Sequence, residues 1–367
     1  MLPMNYLTNK TDLCEVSVLL SKFPFSAVLS LEIAFGLLSI IPNIPLLIAI
    51  FRAKIYPANL RYLLINLSIC LICQSVANTI KASTILYNSQ KDPCQLIISV
   101  YDCRMQDIVL NVVGTIVFYA LLAISLERLY CSIRYRKHDY SSSSPAMAVV
   151  VLTIVWALTL GGTAYSIPAT PRDVFVPVCE LALAVDASNI LKPLLIAMAI
   201  EIAPLVILVL VRSYDQYNIR NSAINRVQHT LNFRFQLIQS AQMNAVLVPS
   251  LLLHALCYMP TLVFYLVILY GVQLKVDMKW RLLHACTIYR LTYSLVHPLL
   301  AFYRNPKLKQ QLKKGVWARM KARVAMVAAP KLTPTQQAAA AGRWVNNITL
   351  HFNVLENVWA EKLNKGR

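Results

Sequence analysis

Seven apolar segments dominate the chain, and each is long enough to cross a bilayer. They cover residues 25–51, 62–80, 105–131, 146–168, 193–211, 244–270 and 282–303. A helix needs roughly 20 predominantly apolar residues to span the hydrocarbon core. In that core every backbone N–H and C=O must be paired within the protein, so only helices and closed barrels span it. These segments are continuously apolar, without the alternation of a barrel strand. The expectation is an all-α integral membrane protein. An extracellular N-terminal segment at 1–24 precedes a seven-helix bundle at 25–303, and a basic cytoplasmic tail follows at 304–367. A signal peptide is not expected, because Asn, Thr, Lys, Asp and Glu precede the first apolar run.

Hydrophobic residues make up 57% of the chain and charged residues 14%, whereas soluble domains run near a quarter charged. That excludes an ordinary cytosolic enzyme and a disordered chain. The net charge of +19 would suggest nucleic acid in a soluble protein. Here its position matters more. With the N-terminus outside, 24 of the 35 Lys and Arg fall on the cytoplasmic side, in 52–61, 128–145, 212–234 and 304–367. The tail holds 13 of these and so carries most of the positive-inside vote. Its run of Lys307, Lys309, Lys313, Lys314, Arg319, Lys321 and Arg323 suits an anionic inner leaflet. The expected partner of the charge is the lipid bilayer, not nucleic acid. The sequon Asn9-Lys10-Thr11 agrees with this orientation and makes Asn9 a glycosylation candidate.

Cys14, Cys94, Cys103 and Cys179 fall on the outer side, an even number in an oxidising compartment. Four cysteines allow three pairings, and spacing does not choose among them. Cys70, Cys73, Cys257 and Cys286 lie in spans and read as small apolar fillers.

Several local features carry a family likeness. Glu127-Arg128 closes the third segment, and Cys257-Tyr258-Met259-Pro260 lies in the sixth. Asn43 offers a polar anchor in the first, and Arg304-Asn305-Pro306-Lys307 follows the seventh. With Cys103 at the head of helix three and Cys179 in the next outer loop, these resemble a rhodopsin-type receptor. Two features depart from that pattern. Helix two lacks the usual Asp, with Asn66 nearby, and helix seven has His297-Pro298-Leu299-Leu300-Ala301-Phe302-Tyr303 in place of Asn-Pro-x-x-Tyr. The departures resemble the nematode serpentine chemoreceptors of the Sra, Srab and Sre group. Three elements carry that resemblance: Leu126-Glu127-Arg128-Leu129-Tyr130 followed by Tyr135, Leu231-Asn232-Phe233-Arg234-Phe235-Gln236 with Gln242-Met243-Asn244, and Pro298 followed by the Arg-Asn-Pro junction.

The resemblance implies a G-protein-coupled chemosensory receptor. It would bind a small external ligand within the bundle and activate a heterotrimeric G protein at its cytoplasmic face. The expected location is the cell membrane of sensory neurons or their cilia. Glu127 and Arg128 would form the G-protein switch, against the simpler reading that Arg128 snorkels to the headgroups. Pro260 and Pro298 would act as hinges. A bridge between Cys103 and Cys179 is expected at the bundle mouth, leaving Cys14 to pair with Cys94.

The ligand site is expected between the outer halves of helices three, five, six and seven, under the Cys179 loop. Its candidate liners are Tyr119, Glu201, Tyr258 and Tyr265, with Arg290 in reach. Charges inside spans usually face the bundle interior, and similar depth makes Glu201 and Glu32 candidate partners for Arg290, a structural pair or a water-filled gap weighing equally with a ligand role. His254 reads as a satisfied core histidine. There is no Gly-x-Ser-x-Gly, no His-Glu-x-x-His, no phosphate loop and no metal-spaced Cys/His set, so neither an enzyme nor a cofactor is expected. A multi-pass transporter and a ligand-gated channel compete with the receptor reading. The 8 glycines and the odd number of spans weigh against a transporter, and the basic tail weighs against an inverted channel.

Overall fold

The computed structural model describes residues 10–20, 25–52, 56–134, 145–168, 170–179, 187–224, 231–269, 276–305 and 308–310. Among these lie nine α-helices: α1 (Lys10–Leu20), α2 (Phe25–Arg52), α3 (Ala58–Lys91), α4 (Val100–Gln106), α5 (Ile108–Arg134), α6 (Ala146–Ser166), α7 (Ala187–Ile224), α8 (Leu231–Leu269) and α9 (Val276–Arg304). Asn9 and most of the basic tail lie outside the described residues.

Six helices, α2, α3, α5, α6, α7 and α8, have both the length and the apolarity to cross a membrane. The seventh expected segment, α9, is helical but more polar. Its His284, Thr287, Ser294 and His297 are buried, while Met278, Tyr289, Leu299 and Tyr303 point outward. The polar groups therefore face protein and the apolar ones face the surroundings, an arrangement that an average along the chain obscures.

Several helices outrun their expected bounds. Hydropathy marks only the part that suits lipid, whereas the backbone ladder continues wherever nothing breaks it. Helix α7 reaches 38 residues and α8 reaches 39. Most of 212–234, expected as a loop, is thus helical, and Asp215 enters the bundle at 0% exposure. The third segment is in turn divided, with α4 ending at Asp107 before α5 begins at Ile108. Residues 10–20 form a helix that the sequence reading did not anticipate.

Around the bundle, α2 packs on α3 and α9, α3 on α5, α5 on α7, α7 on α8, and α8 on α9. Helix α6 sits outside this ring against α3 and α5. Its Val150, Ile154, Leu158 and Leu160 are exposed, as suits a lipid-facing surface. One apolar cluster includes Leu63, Leu67, Leu71, Ile116, Ala120, Ile124 and Leu208. A second, including Phe25, Leu29, Ala82, Ile85, Trp280 and Leu283, lies toward the other end. Polar ties cross between helices. Asn43 Nδ2 donates to the carbonyls of Ser39 (2.7 Å) and Ser294 (2.6 Å), and Ser39 Oγ donates to Ser75 Oγ (2.6 Å). A Cβ on Gly36 would strike Thr79 Oγ1, so glycine is what lets α2 and α3 approach so closely.

Two disulfides mark one end of the bundle, Cys14–Cys94 and Cys103–Cys179. The first fastens α1 to a 3₁₀ turn at Pro93–Leu96. Beside the second, strand β1 (Ile98–Ser99) pairs antiparallel with β2 (Phe175–Val176). Ser17 Oγ donates to the Pro177 carbonyl at 3.0 Å. Arg104 donates to Thr170 Oγ1 (2.8 Å) and Ser166 Oγ (2.6 Å). Residues 170–179 are therefore held as a strap across the disulfide end.

Candidate functional site

Beneath the strap lies a cavity of about 160 Å³, with polar walls. Glu32 comes from α2, Gln74, Asn78 and Lys81 from α3, Asp107 from the junction of α4 and α5, and Leu110 and Asn111 from the start of α5. Tyr265 of α8 and Thr287 and Arg290 of α9 complete the described lining. Lys81 Nζ donates to Asp107 Oδ2 at 2.9 Å. Glu32 Oε2 lies 2.8 Å from His284 Nδ1, and Arg290 Nη2 donates to Thr287 Oγ1 at 2.9 Å. The fifth spanning helix, α7, contributes nothing to this described lining, whereas the first and second, α2 and α3, do. This lining differs from the enclosure by helices three, five, six and seven expected of a ligand site. The cause is the polar inner face of α2 and α3, where Glu32, Gln74 and Asn78 are buried.

A second layer lies between the cavity and the middle of the bundle. Gln74 Nε2 donates to the Tyr258 hydroxyl at 3.1 Å. The Tyr258 ring stacks on His254 with centroids 4.0 Å apart. His254 Nδ1 is 2.6 Å from Glu201 Oε1. Tyr293 meets His254 edge-on at 4.6 Å, and His297 Nδ1 is 2.6 Å from Ser250 Oγ. His254 is thus a buried core histidine, as expected, but with a carboxylate for its partner. The two span glutamates each contact a histidine, Glu201 with His254 and Glu32 with His284.

Of the expected liners, Tyr265 and Arg290 face the polar cavity, while Tyr258 and Glu201 lie one layer below it. Tyr119 lies in neither layer. It lines a separate crevice between α5 and α6 with Thr115, Leu158, Thr159, Gly162, Thr163 and Ser166. Helical spacing turns its side chain toward α6 and away from α8.

At the far end, Arg128 is 0% exposed. Its Nε and Nη2 donate to the two carboxylate oxygens of Glu127 at 2.5 and 2.7 Å. Nη1 contacts Met243 Sδ at 3.3 Å. Burial inside the bundle is not what a snorkelling arginine shows. Beside it, Asp215 accepts from Ser132 (2.6 Å), Ser240 (3.0 Å) and Asn244 (2.9 Å). One carboxylate thereby ties α5, α7 and α8 together. Asn244 stood out in the sequence, but its partner Asp215 read as a loop charge. Nearby, Asn305 Nδ2 donates to the Tyr56 hydroxyl at 2.9 Å. Burial pushes that phenol above its ordinary pKa, and the hydrogen bond from Asn305 opposes the shift.

The carboxylate of Asp107 and the sulfurs of Cys103 and Cys179 gather within 4.8 Å. Those sulfurs are joined to each other, so the group has no thiolate with which to hold a metal. Pro260 lies within α8 and Pro298 within α9.

Residues 14–326 match the family described as serpentine type 7TM GPCR receptor class ab chemoreceptor. The chain is also similar to serpentine receptor class alpha/beta-14 of Caenorhabditis elegans. The two are 23% identical over 149 residues, which is 41% of this chain and 37% of that relative. The match therefore spans little more than a third of the relative's own length.

Proposed function

This chain belongs to the serpentine class ab chemoreceptor family of seven-helix receptors, and on that premise we propose that it binds a small external molecule in the polar cavity and signals through a heterotrimeric G protein. The family is a receptor class, not an enzyme class. In this reading the disulfide end faces outward and the Arg128 end faces the cytoplasm. The basic run after α9 supports that orientation, since Lys and Arg favour the inner leaflet. Sensory neurons or their cilia are the proposed site of expression.

The observation that carries the reading is the position of Arg128. It sits at the opposite end of the bundle from the cavity, fully buried, in contact with Glu127 and Met243. Ligand in the cavity would bias the packing of α5 against α8 by binding one arrangement better than another. Release of Arg128 at the other end would expose a surface for the G protein. The Tyr258, His254 and Tyr293 rings occupy the space between the two. Pro260 and Pro298 are the proposed hinges.

Arg128→Ala tests this. It should reduce ligand-evoked calcium or cAMP signals at least tenfold at equal surface level. Undiminished signalling would leave Arg128 a structural residue and remove the main support for coupling at this end.

A further inference from the structure

Resting on the receptor reading, we propose that the cavity selects a small zwitterion, net neutral and about the size of β-alanine. Size comes first. At about 160 Å³ the cavity falls below the ~300 Å³ at which drug-sized pockets begin. An engineered cavity of about 150 Å³ accepts benzene, so the occupant holds about six non-hydrogen atoms. Alanine and β-alanine each have that number.

Charge narrows the class. The described lining holds two acids, Glu32 and Asp107, and two bases, Lys81 and Arg290. Their formal charges cancel. A ligand with one net charge would bury that charge without compensation, which is costly. An apolar ligand would displace water from Gln74, Asn78, Asn111 and Thr287 as well and restore none of their hydrogen bonds. A zwitterion adds no net charge and supplies both a donor and an acceptor.

Each pole of a zwitterion has a counterpart of opposite charge in the lining. Lys81 and Asp107 already meet each other across α3 and α5 at 2.9 Å, which closes one wall. On the other wall stand Glu32 of α2, which His284 contacts at 2.8 Å, and Arg290 of α9, which donates to Thr287, and the ligand would share both with those neighbours. A guanidinium matches a carboxylate in planar, two-point geometry, and the Glu32 carboxylate accepts from an ammonium. The strap abuts the same space, because Asp107 lies within 4.8 Å of the Cys103 and Cys179 sulfurs.

The test uses the full chain in lipid nanodiscs, read by ligand-induced thermal stabilisation, with calcium imaging of expressing cells in parallel. The probes are glycine, L-alanine and β-alanine against propionate, propylamine, propionamide and 1-butanol. At least one zwitterion should bind tenfold or more tightly than every single-charge or neutral analogue. Arg290→Gln should weaken that zwitterion at least tenfold and leave propylamine unchanged, and Arg290→Lys should fall between. Should Arg290→Gln fail to fold, the wild-type panel decides alone. Equal binding of propionate, propylamine or 1-butanol overturns the proposal, as does absence of binding by all three zwitterions. Zwitterion binding without a cellular signal upholds the ligand class and removes the receptor reading. Signalling evoked only by another class removes the zwitterion and leaves the receptor reading in place.

Discussion

Glu201 and His254 share a contact of 2.6 Å at 4% and 0% exposure. A carboxylate in such a place is costly unless a partner satisfies it. Removing either member leaves the other buried and unpaired, so each single substitution should destabilise while the double substitution recovers part of the loss. A thermal-denaturation cycle on Glu201→Gln and His254→Phe should give a coupling of about 1 kcal/mol or more. Additive effects would mean that the contact contributes nothing of its own. Asp215 makes a sharper demand, since three donors converge on its carboxylate. Asp215→Ala strands Ser132, Ser240 and Asn244 together, at about 1–3 kcal/mol for each buried group left unsatisfied. The apparent melting temperature of the purified chain should fall well below that of Ser132→Ala, which strands only one of the carboxylate's contacts.

Among elements, the contact of α2 with α3 is the most sensitive to side-chain size. Gly36→Ala places a methyl against Thr79 Oγ1, and overpacking of this kind costs about 1–3 kcal/mol. Thr79→Ala in the same chain should restore most of the loss. Failure of that rescue in a thermal shift would locate the strain elsewhere. The seven long helices were legible from hydropathy because lipid demands a continuous apolar run, and six of them meet that demand in the folded chain. Their ends were not, because α7 and α8 continue on backbone hydrogen bonds into polar sequence. Helix α1 escaped notice because 11 residues with Lys10, Asp12 and Glu15 carry no membrane signal. The same distinction governs the site. Arg290 and Tyr265 were legible as polar or ring-bearing positions inside spans. Lys81 and Asp107 lie at the outer ends of their segments, where a charge draws no notice. Their pairing depends on how α3 and α5 align, and no local pattern encodes that.

For the whole molecule, the disulfides are the main covalent restraint. They close sequence separations of 80 and 76 residues, for which loop-closure entropy gives about 4 kcal/mol each. Replacing Cys14 and Cys94 by Ser should lower the thermal stability of the purified receptor and detach α1 from the 3₁₀ turn, with increased proteolysis near Lys10. Replacing Cys103 and Cys179 should act mainly on the cavity, because the strap beside Asp107 loses its anchor. Ligand affinity should then fall by more than it does in the Cys14/Cys94 variant, measured side by side by thermal stabilisation. Equal loss in both would assign the disulfides a common, purely stabilising role.

The carboxylate that holds Arg128 belongs to the adjacent residue of the same helix. Moving α5 away from α8 therefore leaves this ion pair whole. Severing a buried pair would cost about 3–5 kcal/mol, and that toll would make a detector quiet but insensitive. If α5 moves as proposed, the ion pair would travel with its own helix, and the threshold for response would rest on contacts between helices such as that with Met243 Sδ. On the proposed reading, a detector built this way would trade silence for gain: it would answer to a faint stimulus and carry a measurable background when none is present.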